Sequence, residues 1–276
     1  MPIQDYRALR FLGSGTYGSV SEVFKPHSNE RMAAKIIKKK FATDKESKDL
    51  RQCVTNEIKA YETLKSKVSG VIELYENFED DGHWYLILEY IDGPDLLTIV
   101  SEKLVGTTYM GLDMSLVRAV FHSICRTVSQ IHQVGVAHLD IKLENIMLTS
   151  FGAAKLIDFG LCEFIDPARR LITRWVGSPD YVCPEIILAQ PYDPFKADVF
   201  SLGVVLYALL VGQFPFAKDE RVKKLVREGT HPNVHWPLRT LPVSAIDLVN
   251  RMLHSDPAMR PTMEEVLKHP WFKEGR

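Results

Sequence analysis

The sequence predicts an α+β fold, in one large domain or two lobes: a β-rich N-terminal part with one main helix, then a mostly helical C-terminal part. Three observations predict it. The first ninety residues read as five short strands divided by turn signals and interrupted by a single amphipathic stretch. Beyond Ser115, apolar residues recur at helical spacing in long runs. Asp198 to Leu206 is almost wholly apolar, which implies a helix buried through the centre of its lobe. With 276 residues, 46% hydrophobic and 25% charged, the chain has ample length for a sizeable core.

Charge and cysteine content exclude several classes. Lys plus Arg number 34 against 35 Asp plus Glu, a net charge of −1, so nothing points to bulk nucleic-acid binding or a polybasic membrane anchor. Cys53, Cys125, Cys162 and Cys183 are widely spaced, without a CxxC pair, and signal neither a zinc site nor a disulfide framework. A reducing intracellular setting, cytoplasmic and/or nuclear, is expected. Met1-Pro2-Ile3-Gln4-Asp5 does not read as a signal peptide, and the longest apolar run, Val204 to Val211, is too short to span a bilayer.

Tyr6 to Leu12 reads as a strand. Gly13-Ser14-Gly15-Thr16-Tyr17-Gly18-Ser19-Val20 follows, a GxGxxGxV pattern. Its glycines let the backbone approach a phosphate closely with amide N–H groups turned toward it, although the same letters suit a plain flexible turn. A Rossmann unit would need a helix next and an acidic residue about 20 positions on. Instead Val20 to Lys25 continues as a second strand, which favours a glycine hairpin lying over a nucleotide. Arg31 to Lys38 is a third strand. Lys35 sits in it among apolar residues, as an inward ammonium with a fixed partner would; Lys38, Lys39 and Lys40 read as surface. Asp49 to Lys65 is an amphipathic helix with Val54, Ile58, Tyr61 and Leu64 on one face. Glu57, beside that face, is the candidate partner of Lys35, or else a solvated helix glutamate. Val71 to Phe78 and His83 to Glu89 are two further strands.

Asp95 to Leu104 reads as a short helix, Val105 to Gly111 as a loop, and Ser115 to Gln133 as a long helix capped by Ser115. His138-Leu139-Asp140-Ile141-Lys142-Leu143-Glu144-Asn145 then alternates polar with apolar side chains, as a strand-loop-strand. Such a loop can present a carboxylate, an ammonium and an amide to one small volume, where they would deprotonate a hydroxyl, neutralise a phosphate and ligate Mg²⁺. Alone it is equally an ordinary polar loop. Lys155-Leu156-Ile157 is a strand ending in Asp158-Phe159-Gly160. Gly212 ends the apolar helix, Phe214-Pro215-Phe216 is a turn, and Asp219 to Arg227, Val243 to Leu253 and Met263 to Lys268 read as helices.

Taken together, the glycine loop, Lys35, Glu57, the His138–Asn145 stretch, Asp158-Phe159-Gly160, Cys183-Pro184-Glu185 and the closing His269-Pro270-Trp271-Phe272 resemble a eukaryotic protein kinase catalytic domain, serine/threonine type, calmodulin-kinase-like group. The resemblance implies one kinase domain over 1–276, with an N-lobe about 1–89, a hinge about 89–93 and a C-lobe about 94–276. No regulatory tail is expected in it. The implied activity is transfer of the γ-phosphoryl of ATP, with Mg²⁺, to Ser or Thr of protein substrates. Gly13, Gly15 and Gly18 would cover the phosphates. Leu12, Val20, Ala33 and Met147 would line the nucleotide pocket, Leu88 would be its gatekeeper, and the backbones of Glu89 and Ile91 would meet adenine. Lys35, held by Glu57, would position phosphates; Asp140 would take the acceptor proton, Lys142 balance charge, and Asn145 and Asp158 hold metal. Lys142 and the Ser178 that braces it and Asp140 resemble the serine/threonine class. Asp95 would contact ribose and a substrate arginine, or merely cap its helix. Glu144 would face basic substrate residues. Glu185 would pair with Arg260, Asp198 would accept hydrogen bonds from the catalytic-loop backbone, and His138, Tyr61, Leu74 and Phe159 would stack as a spine.

Several letters depart from the family pattern. Leu139 replaces an arginine that grips an activation-loop phosphate, and Arg174 stands near the usual phospho-acceptor, while Thr173 beside it remains a candidate acceptor. Both imply an enzyme that needs no such phosphate. Leu143 replaces a frequent proline and Cys183 a frequent alanine. Cys162 and Cys183 are either a redox switch or buried bystanders. Thr16-Tyr17 resembles sites of inhibitory phosphorylation. The alternative is a pseudokinase scaffold; its signature, loss of Lys35, Asp140, Asn145 or Asp158, is not met.

Overall fold

The computed structural model describes residues 3–15, 18–26, 28, 30–39, 44–105, 108–109, 111–168, 170–216, 234, 236 and 241–274. The expected helix at Asp219 to Arg227 and the Thr16-Tyr17 pair lie outside these residues. The N-terminal part holds β1 (Arg7–Gly15), β2 (Gly18–Phe24), β3 (Arg31–Lys38), α1 (Asp44–Leu64), β4 (Leu74–Glu79) and β5 (His83–Glu89). The strands form one antiparallel sheet in the order β1-β2-β3-β5-β4. β1 does not stop at Leu12 as expected. Pairing with β2 continues to Gly15 opposite Gly18, so the glycines belong to the hairpin itself.

α1 lays Leu50, Val54, Tyr61 and Leu64 into the same apolar cluster as Ile37, Trp84 and Leu86 of the sheet. It starts at Asp44, before the expected Asp49. β4 starts later than expected, at Leu74. The segment before it is drawn to the other lobe instead: Val71 bridges Leu156 in parallel, and Leu156 N–H donates to Gly70 O at 2.8 Å.

The C-terminal part begins with α2 (Leu96–Glu102), and the expected loop beyond it contains a two-residue antiparallel pair, β6 (Leu104–Val105) with β7 (Thr108–Tyr109). α3 (Met114–Gln133) is capped by Asp113, not by Ser115. The Asp113 carboxylate accepts from the N–H groups of Ser115 and Leu116 at 2.9 and 3.0 Å, so Ser115 is itself one of the capped positions. β8 (Val136–Ala137), β9 (Ile146–Leu148), β10 (Ala154–Leu156) and β11 (Glu163–Phe164) form two small hairpin-like sheets, β9 with β10 and β8 with β11. The His138–Asn145 stretch between β8 and β9 ends in a 3-10 turn over Leu143–Asn145.

α4 (Pro184–Ile187), α5 (Pro194–Val211), α6 (Val243–Met252) and α7 (Met263–Leu267) complete the described elements. By length and composition α5 could cross a bilayer, with mean hydropathy 1.6, but 89% of it is buried inside the protein. Its all-round apolar surface is used by the core, and it ends at Gly212 in the left-handed region, φ 78°.

Candidate active site

The His138–Asn145 loop is held from beneath by one carboxylate. Asp198, in the first turns of α5 and 1% exposed, accepts the N–H of His138 at 2.9 Å and of Leu139 at 2.8 Å, and contacts His132 Nε2 at 2.8 Å. This grip keeps Leu139 at φ 64°, a left-handed conformation that costs a non-glycine residue about 1–3 kcal/mol. The chain reverses there. The His138 ring packs on Phe159 at 4.7 Å, and Phe159 packs on Tyr61 at 5.3 Å, within the cluster that includes Leu74. The expected spine residues are therefore assembled across both lobes.

Asp140 is 7% exposed and is the centre of a closed set of hydrogen bonds. Its Oδ2 accepts from Lys142 Nζ at 2.7 Å and from Asn145 Nδ2 at 3.0 Å, and its Oδ1 accepts from Ser178 Oγ at 2.8 Å. Lys142 Nζ also donates to Ser178 Oγ at 3.0 Å, and Asn145 Nδ2 to Asp140 O at 2.9 Å. All three side-chain donors point at the carboxylate oxygens and fix their orientation.

Across the cleft, Lys35 Nζ lies 2.6 Å from Glu57 Oε1 and 2.8 Å from Asp158 Oδ1. β3 supplies the lysine, α1 the glutamate and the turn after β10 the aspartate. Burial raises the Asp158 carboxyl, but the Lys35 ammonium outweighs it and holds the group at about 2. Burial raises Glu57 in spite of Lys35. Burial lowers Lys35, yet the two carboxylates more than reverse that and keep it charged. Asp158 too is left-handed, φ 62°, and accepts Gly160 N–H at 3.3 Å.

Asp158 and Asn145 come together because β9 pairs with β10, Leu156 opposite Ile146, and Ile157 N–H donates to Asn145 O at 2.9 Å. Both Asn145 bonds use Nδ2, so its Oδ1 is the acceptor left over. A carboxylate and an amide oxygen are hard ligands that fit Mg²⁺. Among the described residues no group of three His, Cys, Asp or Glu side chains converges on a metal.

The nucleotide side is assembled less completely. Ala33 and Leu88 lie in one buried cluster, with Val20 and Met147 packed against it; Leu12 is 40% exposed on β1. Gly13, Gly15 and Gly18 form the β1–β2 hairpin. Glu89, at the end of β5, donates its N–H to Glu73 O at 2.8 Å, and its carboxylate meets Lys155 Nζ at 2.9 Å, so the hinge is fixed from behind. Ile91 is buried. Asp95 caps α2, its carboxylate accepting from Thr98 N–H at 2.8 Å and Thr98 Oγ1 at 3.0 Å.

Some participants carried no signal in the sequence. Tyr181 O–H donates to Glu144 at 3.0 Å and accepts Leu143 N–H at 3.3 Å, tying the exposed acid to the loop. Gly177, φ 99°, brings the activation segment against the loop: a Cβ there would lie 2.8 Å from Leu139 O. Glu185 pairs with Arg260 through two bonds of 2.9 and 2.6 Å, fully inside the protein, as expected. Cys162 and Cys183 are buried, and burial pushes both thiols up, Cys183 to about 12, which fits bystanders rather than a redox switch.

A sheet lobe offering Lys35 and Glu57, and a helical lobe offering Asp140, Asn145 and Asp158 to the same cleft, define a protein kinase. The protein kinase domain family model matches residues 6–272, and the chain belongs to that family. It is a serine/threonine protein kinase, as its relatives are. It is similar to the serine/threonine-protein kinase cds1 of Schizosaccharomyces pombe, 32% identical over 97% of this chain. It is similar also to testis-specific serine/threonine-protein kinase 3 of Mus musculus, 33% identical over 97% of this chain, and to CBL-interacting serine/threonine-protein kinase 15 of Arabidopsis thaliana, 32% over 98%. The match spans 58% of the fission yeast protein, 96% of the mouse protein and 61% of the plant protein.

Proposed function

We propose that this chain is a catalytically active, Mg²⁺-ATP-dependent kinase that phosphorylates Ser or Thr of protein substrates, with basic residues preferred before the acceptor. The observation that carries the reading is the closed set around Asp140. Its carboxylate is oriented by Lys142, Asn145 and Ser178, and Asn145 is tied through the Ile157 N–H to the segment whose Asp158 pairs with Lys35. In the reaction Asp140 orients the acceptor hydroxyl and receives its proton as the oxygen attacks the γ-phosphorus, while the bond from that phosphorus to the β,γ-bridging oxygen breaks and ADP leaves with its electron pair. Lys142 then offsets charge on the transferred group. Lys35, kept in place by Glu57, binds the phosphates of ATP beneath the hairpin of Gly13, Gly15 and Gly18. Asp158 and Asn145 would hold Mg²⁺, which supplies charge neutralisation on the phosphate oxygens. Little covalent work is left to the protein; positioning and electrostatics account for most of the acceleration.

Glu144, exposed and braced by Tyr181, supports the choice of basic substrates. Asp95, whose carboxylate also caps α2 through Thr98, is the second acid of this reading, for the ATP ribose and a substrate arginine.

The test is phosphorylation of a Ser/Thr peptide set with radiolabelled ATP and Mg²⁺. Transfer is expected from the wild type and lost in Asp140→Asn and Lys35→Met. Nucleotide binding without transfer would favour a pseudokinase scaffold. On a positional peptide array, Glu144→Ala should weaken selection for basic residues; an array with no basic preference would sink the specificity claim.

A further inference from the structure

The segment from Asp158 to Ser178 connects the metal-facing carboxylate with the hydroxyl that orients Asp140. Its two ends must keep a fixed separation for the site to work. Two contacts anchor its middle: Ile172 and Tyr192 exchange backbone bonds of 3.0 and 2.9 Å, and the Arg170 side chain pairs with the Asp193 carboxylate at 2.8 Å. These contacts hold the segment to the helical lobe but do not join its two ends.

Arg174 does join them. Its Nη2 donates to Leu161 O at 2.6 Å, and its Nη1 lies 3.6 Å from Glu163 Oε2. Leu161 directly follows Asp158-Phe159-Gly160. Glu163 lies in β11, opposite Ala137, the residue before His138. The main chain of Arg174 is pinned as well, its carbonyl accepting Tyr192 O–H at 2.8 Å. Its side chain is half-buried rather than spread in solvent, with Nε itself buried and without a hydrogen-bond partner among the described residues.

We infer that Arg174 is a positioning residue: its guanidinium ties the start of the activation segment to the end nearest Ser178, and does so without any phosphate on the segment. Thr173, beside it, is exposed and contributes nothing to this link. Leu139, buried and apolar at the loop, offers no charge to which a phosphate would bind. The inference rests on the kinase reading above.

The experiment compares wild type, Arg174→Ala, Arg174→Lys, Glu163→Ala and the Arg174→Ala/Glu163→Ala double variant. For Arg174→Ala, kcat on peptide should fall about tenfold or more while KM for ATP changes less than about twofold, the split expected when orientation and not nucleotide binding is lost. Arg174→Lys should recover part of the rate, since an ammonium keeps the charge but not the two-pronged geometry. The double variant should be no slower than Arg174→Ala, because both changes break one link. Wild type treated with phosphatase should keep its activity. Hydrogen exchange of amides 159–176, measured without nucleotide, should speed up in Arg174→Ala. That last readout tests the brace even if no peptide is phosphorylated, so its failure is separable from failure of the kinase reading. Unchanged exchange, a kcat within about twofold of wild type in Arg174→Ala, or loss of wild-type activity on phosphatase treatment overturns the inference.

Discussion

Replacing Asp198 by Asn should unhook the catalytic loop while changing almost no volume. Asp198 Oδ1 accepts one N–H, from Leu139; Oδ2 accepts that of His138 and faces His132. An amide has only one accepting oxygen. Whichever way it turns, its NH₂ must face a backbone N–H now 2.8 or 2.9 Å away. One charge-assisted bond is lost, about 1.5–3 kcal/mol, and a buried donor is stranded, about 1–3 kcal/mol more. A total of roughly 3–5 kcal/mol follows, between two and four powers of ten in the folding constant. Leu139 then has less to hold it left-handed, and its relaxation displaces Asp140. A shift of about 1 Å at a reacting group costs on the order of 100-fold in rate. Urea titration gives the first quantity and steady-state kinetics the second. An Asp198→Asn enzyme destabilised by less than about 1 kcal/mol, with normal kcat, would refute the claim that this carboxylate holds the loop in shape.

Three further outcomes are expected. Glu185→Ala and Arg260→Ala should each cost about 3–5 kcal/mol in urea unfolding by stranding a buried charge, and the Glu185→Leu/Arg260→Met pair should cost much less than their sum. Gly177→Ala should destabilise by about 1–3 kcal/mol and slow turnover, because the residue sits at φ 99° and its Cβ would press on Leu139 O and Val182; a variant with unchanged urea midpoint and kcat contradicts this. The Asp158 carboxyl sits at about 2 against an ordinary 3.8, so the stabilisation it brings is complete above about pH 4 and is lost as pH falls toward 2. Stability measured across that range should fall in the wild type and fall less steeply in Asp158→Asn.

The order of the motifs, through the kinase resemblance, made the chemical groups of the site legible, where residue type alone left the His138–Asn145 loop and Glu57 with bland alternatives. Lys35 stood out because an ammonium in an apolar strand needs a partner, and Glu57 and Asp158 provide it. Less was legible where geometry turns on what lies outside the local window. Ser115 and Asp113 are both good caps by composition; only the position where the helix begins chooses between them. Val71 suits a strand, but Leu156, far along the chain, competes for it and delays β4 to Leu74. Arg174 stood out only by its place near the usual phospho-acceptor, and its link to Leu161 and Glu163 exists only once the segment has folded back on itself. The left-handed turn at Leu139 was equally hidden, since leucine carries no local preference for it and Asp198 imposes it from beneath.

The β9–β10 pairing has a consequence for how such chains can vary over evolutionary time. Asn145 precedes one arm and Asp158 follows the other, so the two side chains proposed as oxygen ligands are neighbours by virtue of register. Residues added at the tip, between Thr149 and Ala153, lengthen the turn and leave the ligands where they are. A single residue inserted in Ile146–Leu148 or Ala154–Ile157 shifts one ligand past the other and flips the alternating faces of the arm. Indels should therefore accumulate at Ser150-Phe151-Gly152, where Phe151 already stands almost fully in solvent, and be purged from the few residues on either side.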